Sequence, residues 1–416
     1  MPLLKIEGGH NLTGEVFISG SKNSALCILV ASLLFDGRIT INNVPNIKDI
    51  RMMLEIFDDL NINYEMEKNT VIINSTDLIS TRVMHANCRE FRASYYFMGA
   101  LLGRYHELEI LYPGGCQIGK RPIDFHLMGF EALGAGILFL DDSIRLKVDE
   151  LKGTIIVLPK KSLGATVNII MAACYSLGKT TIINASIEPE VIDVISFLRC
   201  GGFTIDVIVD TIVIYGEKNI IKKSFSYDVM YDRIEAGTYL ALGLIKGPLI
   251  IRNANYKNLK SVIYPLIKAN ARIEIMDDKI IVYPSVLEPM EIKTDYYPGF
   301  PTDLEQIFAP ILAKYGGKIV ETIFENRLSN CLMLEKMGAN IIVEDQKAFF
   351  EPSNLVGTYV KGTDLRGAAS LLIAGLIAQG NTYLDGYLYI ERGYENIYEK
   401  IRKIGGKLEF MDKILE

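Results

Sequence analysis

The residues best suited to chemistry in this chain are basic side chains placed where helices are predicted to begin. Lys22, Arg92, Lys160 and Arg366 each open or precede an apolar segment. A helix N-terminus has unpaired N–H groups and a partial positive charge, so a cation there is unfavourable unless an anion lies nearby. Ser, Thr and Asp at such positions are ordinary helix caps, and capping alone accounts for Asp232. The four cations together predict a ligand with several negative charges.

A glycine-rich loop over residues 112–122 is the second candidate. It contains Cys116, with Lys120 and Arg121 close behind it in the chain. Positive charges favour the thiolate, which is the reactive form of a cysteine. The residues alone leave two interpretations equally open, a reactive thiol and a cysteine that the loop merely tolerates.

Two further arginines lie among carboxylates. Arg327 follows Glu325, and Arg392 lies between Glu391 and Glu395. Such clusters occur both at functional sites and in structural ion pairs, so either interpretation is possible. The chain has no GxxxxGK[ST] loop and no GxGxxG after a first strand. Its four histidines lack the spacing of metal ligands. The sequence therefore predicts neither a P-loop nor a dinucleotide or metal site.

The elements that position these residues repeat along the chain. One pattern recurs six times: an apolar helix end, then Gly, Ala or Asn, then an alternating strand. Its copies are centred on residues 61, 134, 201, 270, 338 and 405. A fixed period indicates one supersecondary unit copied six times. Each copy also has a helix that is apolar all round and is therefore expected to be buried, followed by a glycine, while a second, amphipathic helix lies outside it. The predicted buried helices are residues 25–35, 95–102, 165–177, 234–245, 304–315 and 367–379, before Gly37, Gly103, Gly178, Gly247, Gly316 and Gly380.

Six units favour two α/β domains of three units each. We expect one domain over residues 22–229 and a second over residues 1–21 and 230–416. The N-terminal strand, within residues 3–18, is expected to complete the last unit, which would place both termini in one domain.

The composition fits an ordinary globular enzyme of the cytoplasm. Hydrophobic residues make up 49% and charged residues 23%. A net charge of −6 gives no general attraction to nucleic acid or to an anionic membrane. The six cysteines form no CxxC pair, which is typical of reduced thiols. No charged-then-apolar secretion signal is visible at the N-terminus.

Eight motifs in this chain, in the same order, resemble those of the enolpyruvyl transferases. The resemblance covers essentially the whole sequence. One such motif is weak evidence, but eight on a six-fold repeat are specific. The motifs are SGSKN (19–23), FRAS (91–94), PGGCQIGKRP (113–122), DRIEAGT (232–238), GFPTD (299–303), FENR (324–327), TDLR (363–366) and ERGYE (391–395).

The resemblance implies a fold of two inside-out α/β domains, each of three βαβαββ units. It implies transfer of the enolpyruvyl group from phosphoenolpyruvate to the 3′-hydroxyl of UDP-N-acetylglucosamine, by addition and then elimination, with release of phosphate. This reaction is the first committed step of peptidoglycan precursor synthesis. No cofactor or metal is implied.

The resemblance also assigns roles to single residues. Asp303 matches the base, and Cys116 matches the acid, which can carry a covalent adduct of phosphoenolpyruvate and is alkylated by the epoxide antibiotic fosfomycin. Asp364 matches a residue that holds the arginine network. The cations that match phosphate-binding positions are Lys22, Arg121 and Arg392, and those that match carboxylate contacts are Arg327 and Arg366. The residues that match sugar-nucleotide contacts are Asn23, Arg92, Pro122, Ile123, Asp124, Phe125, His126, Lys160, Ser162, Leu163, Gly164 and Ile323.

Two alternatives have the same fold. The first is a transferase that uses shikimate 3-phosphate as acceptor; the cysteine loop and the turn over residues 122–124 argue against it. The second is a sugar-nucleotide sensor without catalysis. Loss of Cys116 or Asp303 would favour the sensor, and both are present.

Overall fold

The chain forms two compact units, each with its own hydrophobic core. The computed structural model describes residues 3–76, 80–114, 123–217 and 224–412. Of these, residues 20–230 form what we call the first unit, and those up to 19 together with those from 231 onward form the second unit. Each unit encloses one cluster of buried apolar side chains.

The strands are short, each of two to five residues. The strands of the described ranges are β1 Leu3–Glu7, β2 Gly14–Phe17, β3 Arg38–Asn42, β4 Asn63–Glu67, β5 Thr70–Asn74, β6 Arg82–Val83, β7 Glu107–Leu111, β8 Gly136–Phe139, β9 Ser143–Lys147, β10 Ile155–Val157, β11 Lys179–Ile183, β12 Thr204–Ile208, β13 Thr211–Tyr215, β14 Ser224–Asp228, β15 Leu249–Arg252, β16 Ile273–Ile275, β17 Lys279–Val282, β18 Met290–Lys293, β19 Gly317–Val320, β20 Asn340–Glu344, β21 Lys347–Glu351, β22 Tyr359–Lys361, β23 Asn381–Asp385 and β24 Lys407–Met411.

Helices connect these strands. The α-helices of the same ranges are α1 Lys22–Ala31, α2 Lys48–Asp59, α3 Asn87–Glu90, α4 Tyr96–Tyr105, α5 Asp124–Ala132, α6 Leu163–Ala173, α7 Pro189–Gly201, α8 Arg233–Lys246, α9 Tyr256–Lys268, α10 Thr302–Tyr315, α11 Cys331–Lys336, α12 Leu365–Ile377 and α13 Ile397–Lys403. The 3-10 helices are Ser32–Leu34, Arg92–Tyr95, Arg327–Asn330 and Tyr387–Arg392.

The sheets confirm the predicted six-fold repeat. The strands described form six four-stranded sheets, three in each unit. Every sheet has one parallel pair at one edge and two antiparallel pairs beside it, as in the order β10-β11-β13-β12. In the first unit the other orders are β14-β3-β5-β4 and β6-β7-β9-β8. In the second unit they are β16-β17-β15-β2, β18-β19-β21-β20 and β22-β23-β1-β24.

The N-terminal segment differs in part from the prediction. As expected, β1 completes the last sheet, where it lies between β23 and β24. However, the segment contains two strands, and β2 pairs in parallel with β15 in a different sheet. Gly9 and Gly14 have φ values of 87° and 135°, which glycine adopts without strain, so the chain changes direction between the two strands.

The predicted buried helices are present, three in each unit: α1, α4 and α6, then α8, α10 and α12. Of the six predicted glycine caps, Gly316 directly follows α10, with a positive φ of 85°. In contrast, α1, α6 and α12 are capped by Ser32, Cys174 and Ala378, ahead of Gly37, Gly178 and Gly380. Gly103 lies inside α4, which ends at His106 in a left-handed conformation. A Cβ at Gly103 would come within 2.7 Å of the Met171 carbonyl oxygen, so this glycine serves the close packing of α4 on α6. Gly247 ends α8 at φ −58°, which is not left-handed.

The predicted amphipathic helices are seen in α2 and α9, whereas α7 is buried over most of its surface. In α9 the buried side chains are Leu259, Val262, Ile263 and Leu266, at the spacing of one helix face. No helix in the described part of the chain combines the length and apolar character needed to cross a membrane.

Candidate active site

In the second unit, Asp303 lies between two buried arginines. Its Oδ1 accepts a hydrogen bond from Arg327 Nη2 at 2.6 Å, and its Oδ2 accepts one from Arg366 Nη2 at 3.1 Å. The arginine side chains are 3% and 5% exposed, whereas Asp303 is 29% exposed. The structure thus brings together three residues that belong to three separate sequence motifs. The carboxylate that pairs with Arg327 is Asp303 rather than a sequence neighbour.

The starts of three buried helices position this group. Asp303 is in the first turn of α10, and Arg366 is the second residue of α12. Asp364 caps α12, because its Oδ1 accepts from the N–H groups of Arg366 and Gly367, each at 3.0 Å. Asp364 thereby fixes the backbone that carries Arg366.

Tyr394 links Arg366 to α8, the third of these helices. The Arg366 guanidinium lies 5.2 Å from the centre of the Tyr394 ring. The Tyr394 hydroxyl is 2.9 Å from Thr238 Oγ1 on α8. Burial alone would lower the pKa of Arg366, but Tyr394 together with Asp303 and Asp232 outweighs burial and raises it. Asp232 caps α8 through the N–H groups of residues 234 and 235, as predicted for it.

Two acidic residues of this region were missed by the sequence analysis. Glu305 is fully buried in α10, with its Oε1 3.9 Å from Arg327 Nε. Glu321 is buried and accepts hydrogen bonds from Ile323 N at 2.7 Å and Phe324 N at 3.0 Å, which fixes the half-buried Ile323. The available signal for Glu305 was a carboxyl group within a segment, residues 304–315, that was predicted to be a buried helix.

In the first unit, Lys22 is the first residue of α1. Its Nζ lies 3.2 Å from Asp49 Oδ2 in the first turn of α2, and both side chains are largely buried. Asp49, which the sequence analysis also missed, therefore offsets the unfavourable position of Lys22 at a helix start. Asn23 follows Lys22 and is half-buried.

Arg92, His126 and Gly164 come together around Tyr95. The Arg92 guanidinium lies 5.3 Å from the Tyr95 ring centre, and the His126 ring lies 4.7 Å from it. A Cβ at Gly164 would come within 2.5 Å of the Tyr95 hydroxyl oxygen, so a larger residue there would require Tyr95 to move. His126 Nδ1 is 2.9 Å from Asn168 Nδ2. Burial, reinforced by Arg92, lowers the pKa of His126 to about 3, so the ring is neutral.

The remaining candidates of the first unit lie at the starts of α5 and α6. Ser162 caps α6, its hydroxyl accepting from Ala165 N at 3.3 Å, and Leu163 is the half-buried first residue of that helix. Lys160 is exposed just before it. At the start of α5, Ile123 and Phe125 are half-buried and Asp124 is exposed.

Arg392, in the second unit, is half-buried and ends the 3-10 helix Tyr387–Arg392. Cys116, Arg121 and Pro122 lie outside the described residues. Among the residues described, no group of three or more His, Cys, Asp or Glu side chains is arranged to hold a metal. The described cysteines are free thiols. Burial raises the pKa of four of them, Cys27, Cys88, Cys174 and Cys331.

Comparison with solved structures defines the class of fold. The chain superposes on the enolpyruvyl transferase NikO from Streptomyces tendae with a TM-score of 0.89, at 24% identity and 99% coverage of both chains. It superposes on the EPSP synthase from Acinetobacter baumannii with a TM-score of 0.76, at 17% identity, covering 99% of this chain and 100% of the other. The predicted fold of two domains built from repeated α/β units is thereby confirmed.

Sequence comparison agrees with the fold. The family model of EPSP synthase (3-phosphoshikimate 1-carboxyvinyltransferase) matches residues 6–401. The chain is 40% identical to UDP-N-acetylglucosamine 1-carboxyvinyltransferase 2 of Oceanobacillus iheyensis over 98% of this chain and 96% of the relative. It is 39% identical to the protein of that name from Listeria monocytogenes over 97% of each. The chain therefore belongs to the enolpyruvyl transferase family.

Proposed function

We propose that this protein transfers the enolpyruvyl group of phosphoenolpyruvate to the 3′-hydroxyl of UDP-N-acetylglucosamine and releases phosphate. The observation that carries the proposal is 40% identity, over 98% of the chain, to a relative named for this reaction. The charged groups at the helix starts support it, because the reaction needs cations on a multiply anionic substrate. The product would enter peptidoglycan synthesis, and the free thiols agree with a cytoplasmic site of action.

In the addition step, Asp303 would accept the proton of the 3′-hydroxyl group, and the oxygen of that hydroxyl group would bond to C2 of phosphoenolpyruvate. Arg327 and Arg366 would bind the carboxylate of phosphoenolpyruvate. Both arginines already donate to Asp303 at 2.6 and 3.1 Å, so a bound carboxylate lies within reach of the base. The two guanidinium groups are buried, which strengthens their attraction for an anion.

Cys116 would donate a proton to the methylene carbon, and a tetrahedral ketal would result. In the elimination step, the bond from C2 to the phosphate oxygen breaks, the methyl group loses a proton and the C=C bond forms again. The phosphate would be held by Lys22, Arg121 and Arg392, whose positive charges stabilise it as it leaves.

The first unit would bind the sugar nucleotide. Arg92 and the N-terminus of α6 supply positive charge and N–H groups suited to the diphosphate. The further contacts proposed are Asn23, Pro122, Ile123, Asp124, Phe125, His126, Lys160, Ser162, Leu163, Gly164 and Ile323. Asp364 would hold the arginine network, because it caps the helix that carries Arg366. Because the His126 side chain is buried and neutral, we propose that it shapes this site through Tyr95 rather than through its charge.

Shikimate 3-phosphate is the competing acceptor, because the matching family model is described by that reaction. The EPSP synthase structure is only 17% identical to this chain, against 40% for the relative named for UDP-N-acetylglucosamine. Phosphate release from phosphoenolpyruvate, measured with each acceptor separately, tests the choice. Release with UDP-N-acetylglucosamine alone is expected. Release with shikimate 3-phosphate alone would refute the proposal, and release with neither would favour a sensor.

A further inference from the structure

Glu305 is a buried acidic side chain to which the proposed reaction gives no role. It lies in the first turn of α10, two residues after Asp303, and is 0% exposed. Neither of its carboxyl oxygens has a hydrogen-bond partner among the described residues. An ionised carboxylate is strongly disfavoured in such a place, so burial of Glu305 favours the neutral acid. Burial, reinforced by neighbouring carboxylates, raises the pKa of Glu305 well above its usual value.

Arg327 is the cation beside Glu305. The 3.9 Å between Arg327 Nε and Glu305 Oε1 is too long for a hydrogen bond. Within the described ranges, Arg327 Nε also has no hydrogen-bond partner. The other side of the same guanidinium donates from Nη2 to Asp303. Arg327 therefore makes a hydrogen bond on one side, while on the other it faces a carboxyl group without bonding to it.

The charges around Glu305 act on its protonation in both directions. The charged and titratable groups that face it from its own helix and from the neighbouring segments are Asp303, Glu321, Arg327, Cys331 and Asp364. A negative charge on Glu305 would be attracted by the guanidinium and repelled by the three carboxylates. Binding of an anion by Arg327 would add a further repulsion.

We propose that Glu305 is a positioning residue that must carry a proton for Arg327 to bind the carboxylate of the substrate. This rests on the proposed function, in which Arg327 binds that carboxylate. When Glu305 is neutral, only Asp303 of these two carboxyl groups offsets the positive charge of Arg327, so the guanidinium can still attract the substrate carboxylate. With Glu305 ionised, a small movement closes the 3.9 Å gap and holds the guanidinium between two carboxylates. Substrate binding then stabilises the protonated form, and the proton in turn stabilises binding.

The test compares the KM for phosphoenolpyruvate across pH in the wild type and in Glu305→Gln. Glutamine keeps the shape of the protonated acid but does not titrate. Ionisation of the substrate affects both enzymes alike, so it cancels in the ratio of the two KM values. We expect the KM of the wild type, divided by that of the variant, to increase with pH once the pH exceeds the midpoint of Glu305 ionisation. The increase should be up to about tenfold per pH unit, with kcat similar in both enzymes. A ratio that stays constant across the pH range in which Glu305 ionises, located by the unfolding measurement below, would overturn the proposal.

Glu321→Gln is the matched control. Glu321 is 1% exposed, in the same unit, but both of its oxygens accept hydrogen bonds, Oε1 from Ile323 N and Phe324 N and Oε2 from Thr302 Oγ1. This variant should lower the unfolding temperature and leave the pH dependence of KM as in the wild type. If both variants remove the same pH step, the effect is not specific to Glu305 and the proposal fails.

Unfolding without substrates tests Glu305 independently of activity. A raised pKa in the folded state means that the wild type loses stability as pH rises from the ordinary glutamate value of 4.5 to the raised one. Glu305→Gln lacks this loss, so its stability relative to the wild type should increase with pH across that window. A difference independent of pH would contradict the proposal, whereas absence of phosphate release by the wild type would refute the proposed function instead.

Calorimetry measures the protons taken up when the wild type binds phosphoenolpyruvate, so it tests the proposal without any variant. Above about pH 8 the phosphate of phosphoenolpyruvate is fully ionised, so protons taken up on binding go to the protein. At a pH that is also above the midpoint of Glu305 in the free enzyme, where this side chain has lost its proton, heats measured in two buffers of different ionisation enthalpy should show net proton uptake. Binding without proton uptake at that pH would contradict the role of Glu305.

Discussion

Replacing Asp303 by Ala removes the carboxylate between Arg327 and Arg366. Each hydrogen bond to a charged group contributes about 1.5–3 kcal/mol, and two such bonds are lost. Both arginines are buried, so they are left without this counter-charge. Because Asp303 is 29% exposed, water replaces part of the interaction. We therefore expect the free energy of unfolding to fall by about 3 kcal/mol in the absence of ligand.

The same variant should lose turnover more than it loses binding. A general base contributes about a hundredfold to ten-thousandfold, so phosphate release should fall by at least about a hundredfold. UDP-N-acetylglucosamine affinity should change little, because most of the residues proposed to contact it lie in the first unit. Phosphate release and calorimetric titration on one preparation separate the two effects.

Sulfate provides an internal check on the electrostatic part of this prediction. The two arginines freed by Asp303→Ala form a site for a small anion, so sulfate should stabilise the variant more than the wild type in thermal unfolding. Asp303→Asn, which keeps one acceptor oxygen without the charge, should show an intermediate response. Near-normal phosphate release by Asp303→Ala, or equal stability of variant and wild type, would refute this account of Asp303.

Three other changes have defined outcomes. Because burial and Arg92 lower the pKa of His126 to about 3 against 6.5 for the ordinary group, the wild type should lose roughly 1.4 kcal/mol of stability per pH unit below about 6.5. His126→Gln should reduce this slope in denaturant unfolding, and an unchanged slope would contradict the buried neutral ring. Lys400→Met leaves the buried Glu235 without its 2.6 Å partner and should cost about 3–5 kcal/mol, much of it recovered by adding Glu235→Gln; a small loss in the single variant would show that the pair is not structural. Cys116→Asp should escape alkylation by fosfomycin and retain activity, since a carboxylic acid can donate the proton, whereas Cys116→Ser should lose most of it; modification of another cysteine in peptide mass spectrometry would argue against Cys116.

The repeat architecture could be predicted because its sequence patterns are local. Each of the six repeats has an apolar helix and an alternating strand, and both patterns depend on residues close together in the chain. The pairing of β2 with β15 could not be predicted, because a short strand has no local signal for a partner more than two hundred residues away. Gly103 was misinterpreted for a related reason, since the close approach of α4 and α6 that requires it is a tertiary contact.

In the candidate active site, too, contacts between residues far apart in the chain could not be predicted. The motifs of Asp303, Arg327 and Arg366 could be identified one at a time, but their direct contact depends on how α10, α12 and a 3-10 helix pack. Asp49 was missed because a carboxylate in the first turn of a helix is common and needs no function. Glu305 was missed for the same reason, because it too lies in the first turn of its helix.

The central claim is most directly tested by the product formed when phosphoenolpyruvate is supplied with UDP-N-acetylglucosamine and shikimate 3-phosphate together. Mass spectrometry and NMR identify which acceptor gains the enolpyruvyl ether, and the phosphate released is measured in the same vessel. The account predicts an ether on the 3′-oxygen of the sugar nucleotide, with one phosphate released for each ether formed. An ether on shikimate 3-phosphate, or phosphate release without any ether, would contradict it.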